Sequence, residues 1–393
     1  MSARPRLPGA IWALGSVSLL MDTSSELIHS LLPVFLVVTL GTSVAVVGMI
    51  EGIAEATAAL AKVFSGVLSD RVRRRKGLTV LGYGLAALVK PLFPLAGSAT
   101  TVLVARFIDR VGKGIRGAPR DALVADLTPQ AVRGAAYGLR QALDTVGAVA
   151  GPLLALILMG WFAGDIRAVM SVAVIPAVLS VLILMLMVRE PPRAAPASPP
   201  SSPLRLSVLS DLPGRYWAAL GFASLLTLAR FSEAFLVLRA EDLGFAMRQV
   251  PLVMVVMNLA YAASAYPAGV LADHRSRRLL MAAGLVVLIA SDLVLASASG
   301  TGMLMGGVVL WGLHMGLTQG LLSTLIADAA PPELRGTAFG VFHLATGIAT
   351  FLASALAGVL WSGYGASATF GFGALVTALA LLGLFRFAHA DQR

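Results

Sequence analysis

Apolar stretches of about twenty residues or more recur along the whole chain, each long enough as a helix to cross a hydrocarbon core of about 30 Å. They predict spans at residues 10–38, 44–69, 77–97, 101–126, 136–160 and 167–188, and again at 217–240, 249–272, 279–298, 302–328, 337–361 and 366–388. Between the two sets lies the Pro- and Ser-rich stretch RAAPASPPSSP, which cannot continue a helix and reads as a cytoplasmic linker over 189–213. The expected fold class is therefore an all-α polytopic membrane protein. It has twelve transmembrane helices in two pseudo-symmetric six-helix bundles, residues 1–188 and 214–393.

The halves are copies. Residues 123–138 read LVADLTPQAVRGAAYG and residues 325–340 read LIADAAPPELRGTAFG, and GVLSDRVRRR from Gly66 is matched at nearly the same offset by GVLADHRSRR from Gly269. Two repeats at one separation point to duplication of a six-helix unit, a recurring transporter plan.

Composition narrows the class. With 58% hydrophobic and 13% charged residues, there is too little polar surface to wrap a water-soluble globule of this size. Arg4 and Arg6 precede an apolar run from Ala10 that passes Asp22 and continues to Leu40 without a small-residue cleavage site, so it reads as the first span rather than a signal peptide. The net charge of +10 sits in short connections: Arg71, Arg73, Arg74, Arg75 and Lys76 after span 2, and Arg275, Arg277 and Arg278 after span 8. Connections at 97–100 and 297–301 carry no Lys or Arg, which predicts cytoplasmic termini and a cell inner membrane location. Attraction to anionic headgroups explains that charge without nucleic acid. There is no cysteine, so disulfides and thiolate sites are excluded. The histidines at 29, 274, 314, 343 and 389 lack zinc-ligand spacing, so neither a metal site nor a cofactor is expected.

Gly66, Leu68, Ser69, Asp70, Arg71, Arg74 and Arg75 resemble the signature loop of the major facilitator superfamily, echoed weakly by Gly269, Leu271, Ala272, Asp273 and Arg277. The superfamily usually has a glycine where this chain has Arg73. Gly147, Gly151 and Pro152 in span 5 resemble the superfamily's antiporter signature. The resemblance implies a secondary transporter working as a single chain. It further implies conformational gating by Gly66, Asp70, Arg71, Arg74, Asp273, Gly147, Gly151 and Pro152, and a part for Arg106 in proton coupling. Ordinary close helix packing would ask for the same small residues in span 5.

Ionisable side chains at bilayer depth face water or a partner. Span 4 carries Arg106, Asp109, Arg110, Lys113, Arg116, Arg120 and Asp121. At helical spacing its five basic positions fall within an arc of about 120°, one cationic stripe. Span 1 offers Asp22 and Glu26, span 2 Glu51 and Glu55, and span 5 Asp144 beside Arg140. Three readings of the stripe stand open: the acids of spans 1 and 2 neutralise it as a structural lattice; it binds a carboxylate-bearing or otherwise anionic solute; or some acids, drawn from Asp22, Glu26, Glu51, Glu55, Asp109, Asp121 and Asp144, carry protons. Asn258 and Tyr261 join Arg106, Arg110, Lys113, Arg116 and Arg120 as candidate substrate contacts. The stretch RVGKGIRGAPRD, with Gly112, Gly114, Gly117 and Pro119, loosens the helix and predicts a kink of span 4 beside the cavity.

These features point to transport of a small solute by alternating access, as proton-coupled efflux of an anionic or carboxylate-bearing compound or metal chelate. Proton-coupled uptake of an organic anion and export of cationic drugs are the alternatives. A Walker-type phosphate loop is absent, leaving protons or another ion as the energy source. An enzyme is disfavoured, because no nucleophile, base and acid can be assembled. A membrane-embedded sensor would ordinarily add a soluble domain.

Overall fold

The computed structural model describes residues 7–71, 75–190, 206–274, 276–331 and 334–390. Among these, every regular element is helical. Span 1 comprises α1 (Gly9–His29), a turn, α2 (Leu32–Val34) and a π-helical stretch (Phe35–Thr39). Span 2 is α3 (Val44–Arg71), and span 3 is α4 (Arg75–Val89) followed by α5 (Leu92–Leu95). Spans 4 and 5 are α6 (Ala99–Leu127) and α7 (Arg133–Trp161), and span 6 is α8 (Ile166–Val172) with α9 (Val174–Met187). In the second half, span 7 is α10 (Gly214–Ala229) and α11 (Ala234–Asp242), followed by α12 (Leu252–His274) and α13 (Arg277–Ser297). The last three are α14 (Thr301–Ala329), α15 (Arg335–Tyr364) and α16 (Ala366–Ala390).

Eleven spans are long and apolar enough to cross a membrane on composition alone. The twelfth, α6, fails that criterion because of its charges. Both copies of the internal repeat fall at the same junction, the end of a fourth helix and the start of a fifth (α6 to α7, α14 to α15).

The chain forms two compact units, Met1–Leu31 with Thr57–Ser202, and Leu32–Ala56 with Pro203–Arg393. In the first, small residues let backbones touch. A Cβ on Gly82 would lie 2.6 Å from the Gly112 carbonyl oxygen, and one on Gly112 would lie 2.6 Å from that of Gly82, so α4 and α6 meet at a reciprocal glycine contact. Gly114 does the same against Ala58 and Ala61 of α3, and Ser65 donates to the Gly114 carbonyl at 2.8 Å. At one end, the Glu190 carboxylate accepts from the backbone N–H groups of Arg75 and Lys76 (2.7 and 3.1 Å), capping α4. Arg75 also pairs with Asp126 at 2.7 Å.

In the second unit, α14 packs on α12 through Gly312 and Gly316 and on α13 through Gly307, while the first half of α3 crosses α15 at Gly48, Gly52 and Gly358. Such contacts suit a solvent that gives apolar helices no reason to associate beyond close packing. Arg239 of α11 donates to the carbonyls of Leu295 (3.1 Å) and Ala298 (2.8 Å), satisfying the C-terminal end of α13. Phe231, Phe235, Trp311, Trp361 and Phe370 form a connected aromatic core with ring centroids 5.3–6.1 Å apart.

Candidate functional site

α6 opens on Ser98, whose side chain accepts from the Thr101 N–H at 3.2 Å, and runs unbroken to Leu127. Helical backbone continues through Gly112, Gly114 and Gly117, and Pro119 sits inside the helix, where it removes one backbone hydrogen bond. Gly112 and Gly114 serve contacts with α4 and α3, and those neighbours hold the helix where propensity alone would loosen it. The periodic stripe consequently stays on one continuous helix.

The structure divides that stripe. Its later members are engaged by acids and hydroxyls. Arg116 lies 3.7 Å from an Asp22 oxygen and 4.4 Å above the Tyr83 ring. Arg120 donates to Ser18 Oγ (3.0 Å), Tyr83 OH (3.3 Å) and Asp121 Oδ1 (3.3 Å), and sits 4.0 Å from Asp144. Arg140 pairs with Asp144 at 2.6 Å and approaches Asp121 at 3.6 Å.

The earlier members converge on a histidine. Arg110 Nη2 lies 2.7 Å from His29 Nε2, and Arg106 Nη1 meets the same nitrogen. A guanidinium can only donate, so Nε2 must be the accepting nitrogen, and the ring is a neutral imidazole whose proton is on Nδ1. That nitrogen is 3.6 Å from Glu26 Oε1. Two buried guanidiniums thus converge on one imidazole nitrogen. Beside them, Lys90 Nζ is 2.9 Å from Asp109 Oδ1 and 3.0 Å from Ser25 Oγ, a fully enclosed ion pair. Lys113, on the same face, is exposed.

The other sequence candidates are distributed as follows. Asp22, Glu26, Asp109, Asp121 and Asp144 all fall in the first unit with the stripe. The lattice reading drew its acids from spans 1 and 2. In the structure the stripe is met from Ser18, Asp22 and His29 of span 1, Tyr83 of span 3 and Asp144 of span 5. Glu51 and Glu55 belong to the second unit, where Glu51 is buried and accepts from Ser232 Oγ at 3.4 Å. Asn258 and Tyr261 lie on α12 of that unit, the first buried and the second half-buried. The side chains of Gly66, Asp70, Arg71 and Asp273 and the whole of Arg74 lie outside the described residues.

Gly147 and Gly151 press on α1: added Cβ atoms would meet the carbonyl oxygens of Leu19 at 2.6 Å and Thr23 at 2.7 Å. Pro152, next to them, is buried in α7. Gly151→Val should therefore lower stability by about 1–3 kcal/mol or more. Gly160→Val, with nothing within 4 Å of its Cβ position, is the control in detergent thermal melts.

Sequence reasoning missed three features. His29 was weighed only as a metal ligand, although it lies three residues after Glu26 on a helix face. Lys90 was visible as an intramembrane charge without a partner. The break in span 7, where helix stops at Ala229 and resumes at Ala234, has neither Gly nor Pro to announce it. Among the described residues no group of three or more His, Cys, Asp or Glu side chains could hold a metal.

The Major Facilitator Superfamily model matches residues 14–238 and, separately, 219–393. The chain belongs to this superfamily. An uncharacterized MFS-type transporter of Methanocaldococcus jannaschii is 29% identical over 358 residues, 89% of this chain and 88% of its own. The cis,cis-muconate transport protein of Acinetobacter baylyi is 25% identical over 334 residues, 80% of this chain and 78% of that one. The crystal structure of a mutant of the nucleoside transporter NupG superposes with a TM-score of 0.79 at 13% identity, covering 97% of this chain and 99% of that one, which establishes the shared fold. Superfamily membership makes the chain a multi-pass membrane transporter, not an enzyme, that moves a solute by alternating access.

Proposed function

We propose that this superfamily member carries an organic anion bearing carboxylate groups, coupled to protons, with Arg106 and Arg110 as the carboxylate-binding pair. The observation that carries the reading is the convergence of two buried guanidiniums on the single acceptor nitrogen of His29. Paired Arg forks match the two oxygens of a carboxylate far better than one imidazole lone pair does. An incoming carboxylate displaces His29, and the freed ring, beside Glu26, takes up a proton. Cargo binding and proton binding are thereby linked. Lys113 supplies a further positive charge on the same face, while Arg116 and Arg120 order the helices around it.

The relationship to a cis,cis-muconate transport protein supports the cargo class, since cis,cis-muconate is a dicarboxylate. Binding cargo and proton together moves both in one direction, so with an inward proton gradient this linkage favours uptake of the anion over the export that the resemblance of Gly147, Gly151 and Pro152 to an antiporter signature suggests. We also place both termini on the cytoplasmic side of the inner membrane and take the working form to be a single chain.

The test is a thermal-shift titration of the purified protein with cis,cis-muconate, other dicarboxylates, phosphorylated metabolites, metal chelates and lipophilic cations, since ligand binding to the native state raises its apparent stability. Saturable shifts with carboxylates, lost in Arg110→Gln, are the expected result. Shifts with lipophilic cations alone would overturn the reading and leave the stripe as internal ion pairing.

A further inference from the structure

The second unit holds a buried acid that the carboxylate site does not use. Asp292, on α13, is fully buried, and neither carboxylate oxygen has a hydrogen-bond partner among the described residues. The packing around it is close: a Cβ on Gly373 of α16 would lie 2.8 Å from Asp292 Oδ2 and 3.1 Å from Phe231 Cε1. The acid and the Phe231 ring therefore converge on one glycine. Phe231 in turn packs on Trp311 and Phe370, with centroids 5.4 and 5.5 Å away.

The titratable groups on the elements packed against α13 do not neutralise it. From α14 comes His314, which is held at Nδ1 by the Gly284 carbonyl at 2.8 Å, two turns before Asp292. From span 7 come Arg230 and Glu233, and from α12 Tyr261. None of them forms an ion pair or hydrogen bond with Asp292 among the described residues, and α16 contributes no described titratable side chain there. Aromatic edges and a glycine supply none of the several oxygen ligands a metal cation needs. An ionised carboxylate in such surroundings is strongly disfavoured, so the ion that satisfies this site is a proton.

We propose that Asp292 is a proton-binding residue of the transport cycle, occluded and protonated in this conformation and linked to the break in span 7. Phe231, which meets the acid at Gly373, lies in the non-helical stretch between α10 and α11. That stretch also carries Arg230 and Glu233, and its Ser232 N–H is donated to Ser354 Oγ at 3.2 Å. Loss of the proton would place an unmatched charge against Phe231, which the packing cannot accommodate unless the break rearranges. A discontinuous helix at membrane depth is the element that can change conformation under such a bias. The proposal rests on the proton-coupled part of the functional reading but not on the identity of the cargo.

The test has two arms. In the first, infrared difference spectra of the purified full-length protein are recorded across a pH titration without substrate. A protonated-carboxyl carbonyl band should be present in wild type and absent in Asp292→Asn, whose amide copies the shape of the protonated acid. A wild-type spectrum without any such band, or a band unchanged in the variant, overturns the proposal even if the variant folds poorly. In the second, proteoliposomes are loaded with cis,cis-muconate. Asp292→Asn should keep exchange of labelled for unlabelled muconate and lose accumulation driven by a pH gradient. Accumulation equal to wild type would overturn the coupling role. If wild type itself does not move muconate, the cargo assignment fails and the infrared arm still decides on Asp292.

Discussion

Asp109→Asn should be among the most destabilising single substitutions in the protein, costing about 3–5 kcal/mol, because it removes one partner of an enclosed ion pair and leaves the other charged. Lys90 and Asp109 are 1% and 3% exposed, so solvent screening does not soften the loss. The two directions are unequal. In Asp109→Asn, Lys90 stays beside Arg116 and Arg110 with only neutral acceptors, the Ser25 hydroxyl and the new amide oxygen, whereas without Lys90 the carboxylate still has Arg110 and Arg106 as basic neighbours on α6. Lys90→Met should therefore cost less, and the double variant should recover a large part of the Asp109→Asn loss, because with Lys90 gone no unpaired ammonium stays buried beside the amide. A double-mutant cycle on detergent-solubilised protein measures this directly. If Asp109→Asn were as stable as wild type yet lost pH-driven transport, Asp109 would be a proton carrier and the lattice assignment would fall.

Much of this architecture is legible in the sequence because membrane insertion writes in a simple code. Twenty apolar residues have one way to satisfy their backbone in lipid, so α13 and α9 could be placed from composition alone. The helical period of charges on span 4 gave its stripe for the same reason, since a continuous helix fixes which residues share a face. Partner choice is different. Lys90 and Asp109 are nineteen residues apart and meet only because Gly82 and Gly112 let α4 and α6 touch, which no periodicity encodes. His29 is meaningful only once α1 lies beside α6.

Helix continuity in spans 4 and 7 follows tertiary contacts rather than local propensity. Three glycines and a proline in RVGKGIRGAPRD weaken a helix locally, yet close contacts on α3 and α4 restore it. The stretch ARFSEAF contains no weak helix former of that kind but breaks at Arg230–Glu233, where Ser354 offers its hydroxyl to a freed N–H. Asp292 carried a readable signal, a lone acid in an otherwise apolar span. Its lack of a hydrogen-bonded or ion-paired partner among the described residues, which gives it meaning, required the fold.

His29→Glu should abolish binding of carboxylate cargo while raising thermal stability. A carboxylate tethered at residue 29 would face Arg106 and Arg110 as a permanent occupant, replacing one imidazole nitrogen by two charged oxygens. Arg110→Gln should abolish binding by the opposite route. Truncating one side of a buried charge-assisted contact costs about 2–5 kcal/mol, or a Kd about thirtyfold weaker at the least. His29→Gln separates the two functions of the ring, because its side-chain oxygen can still accept from the guanidiniums but cannot take up a proton. It should bind cis,cis-muconate within a few-fold of wild type in calorimetry and exchange it across a membrane, yet lose acceleration by an imposed pH gradient. If His29→Gln responded to the gradient as wild type does, proton uptake would lie elsewhere, with Asp292 as the remaining assignment. If His29→Glu bound muconate normally, the two arginines would not be the carboxylate site.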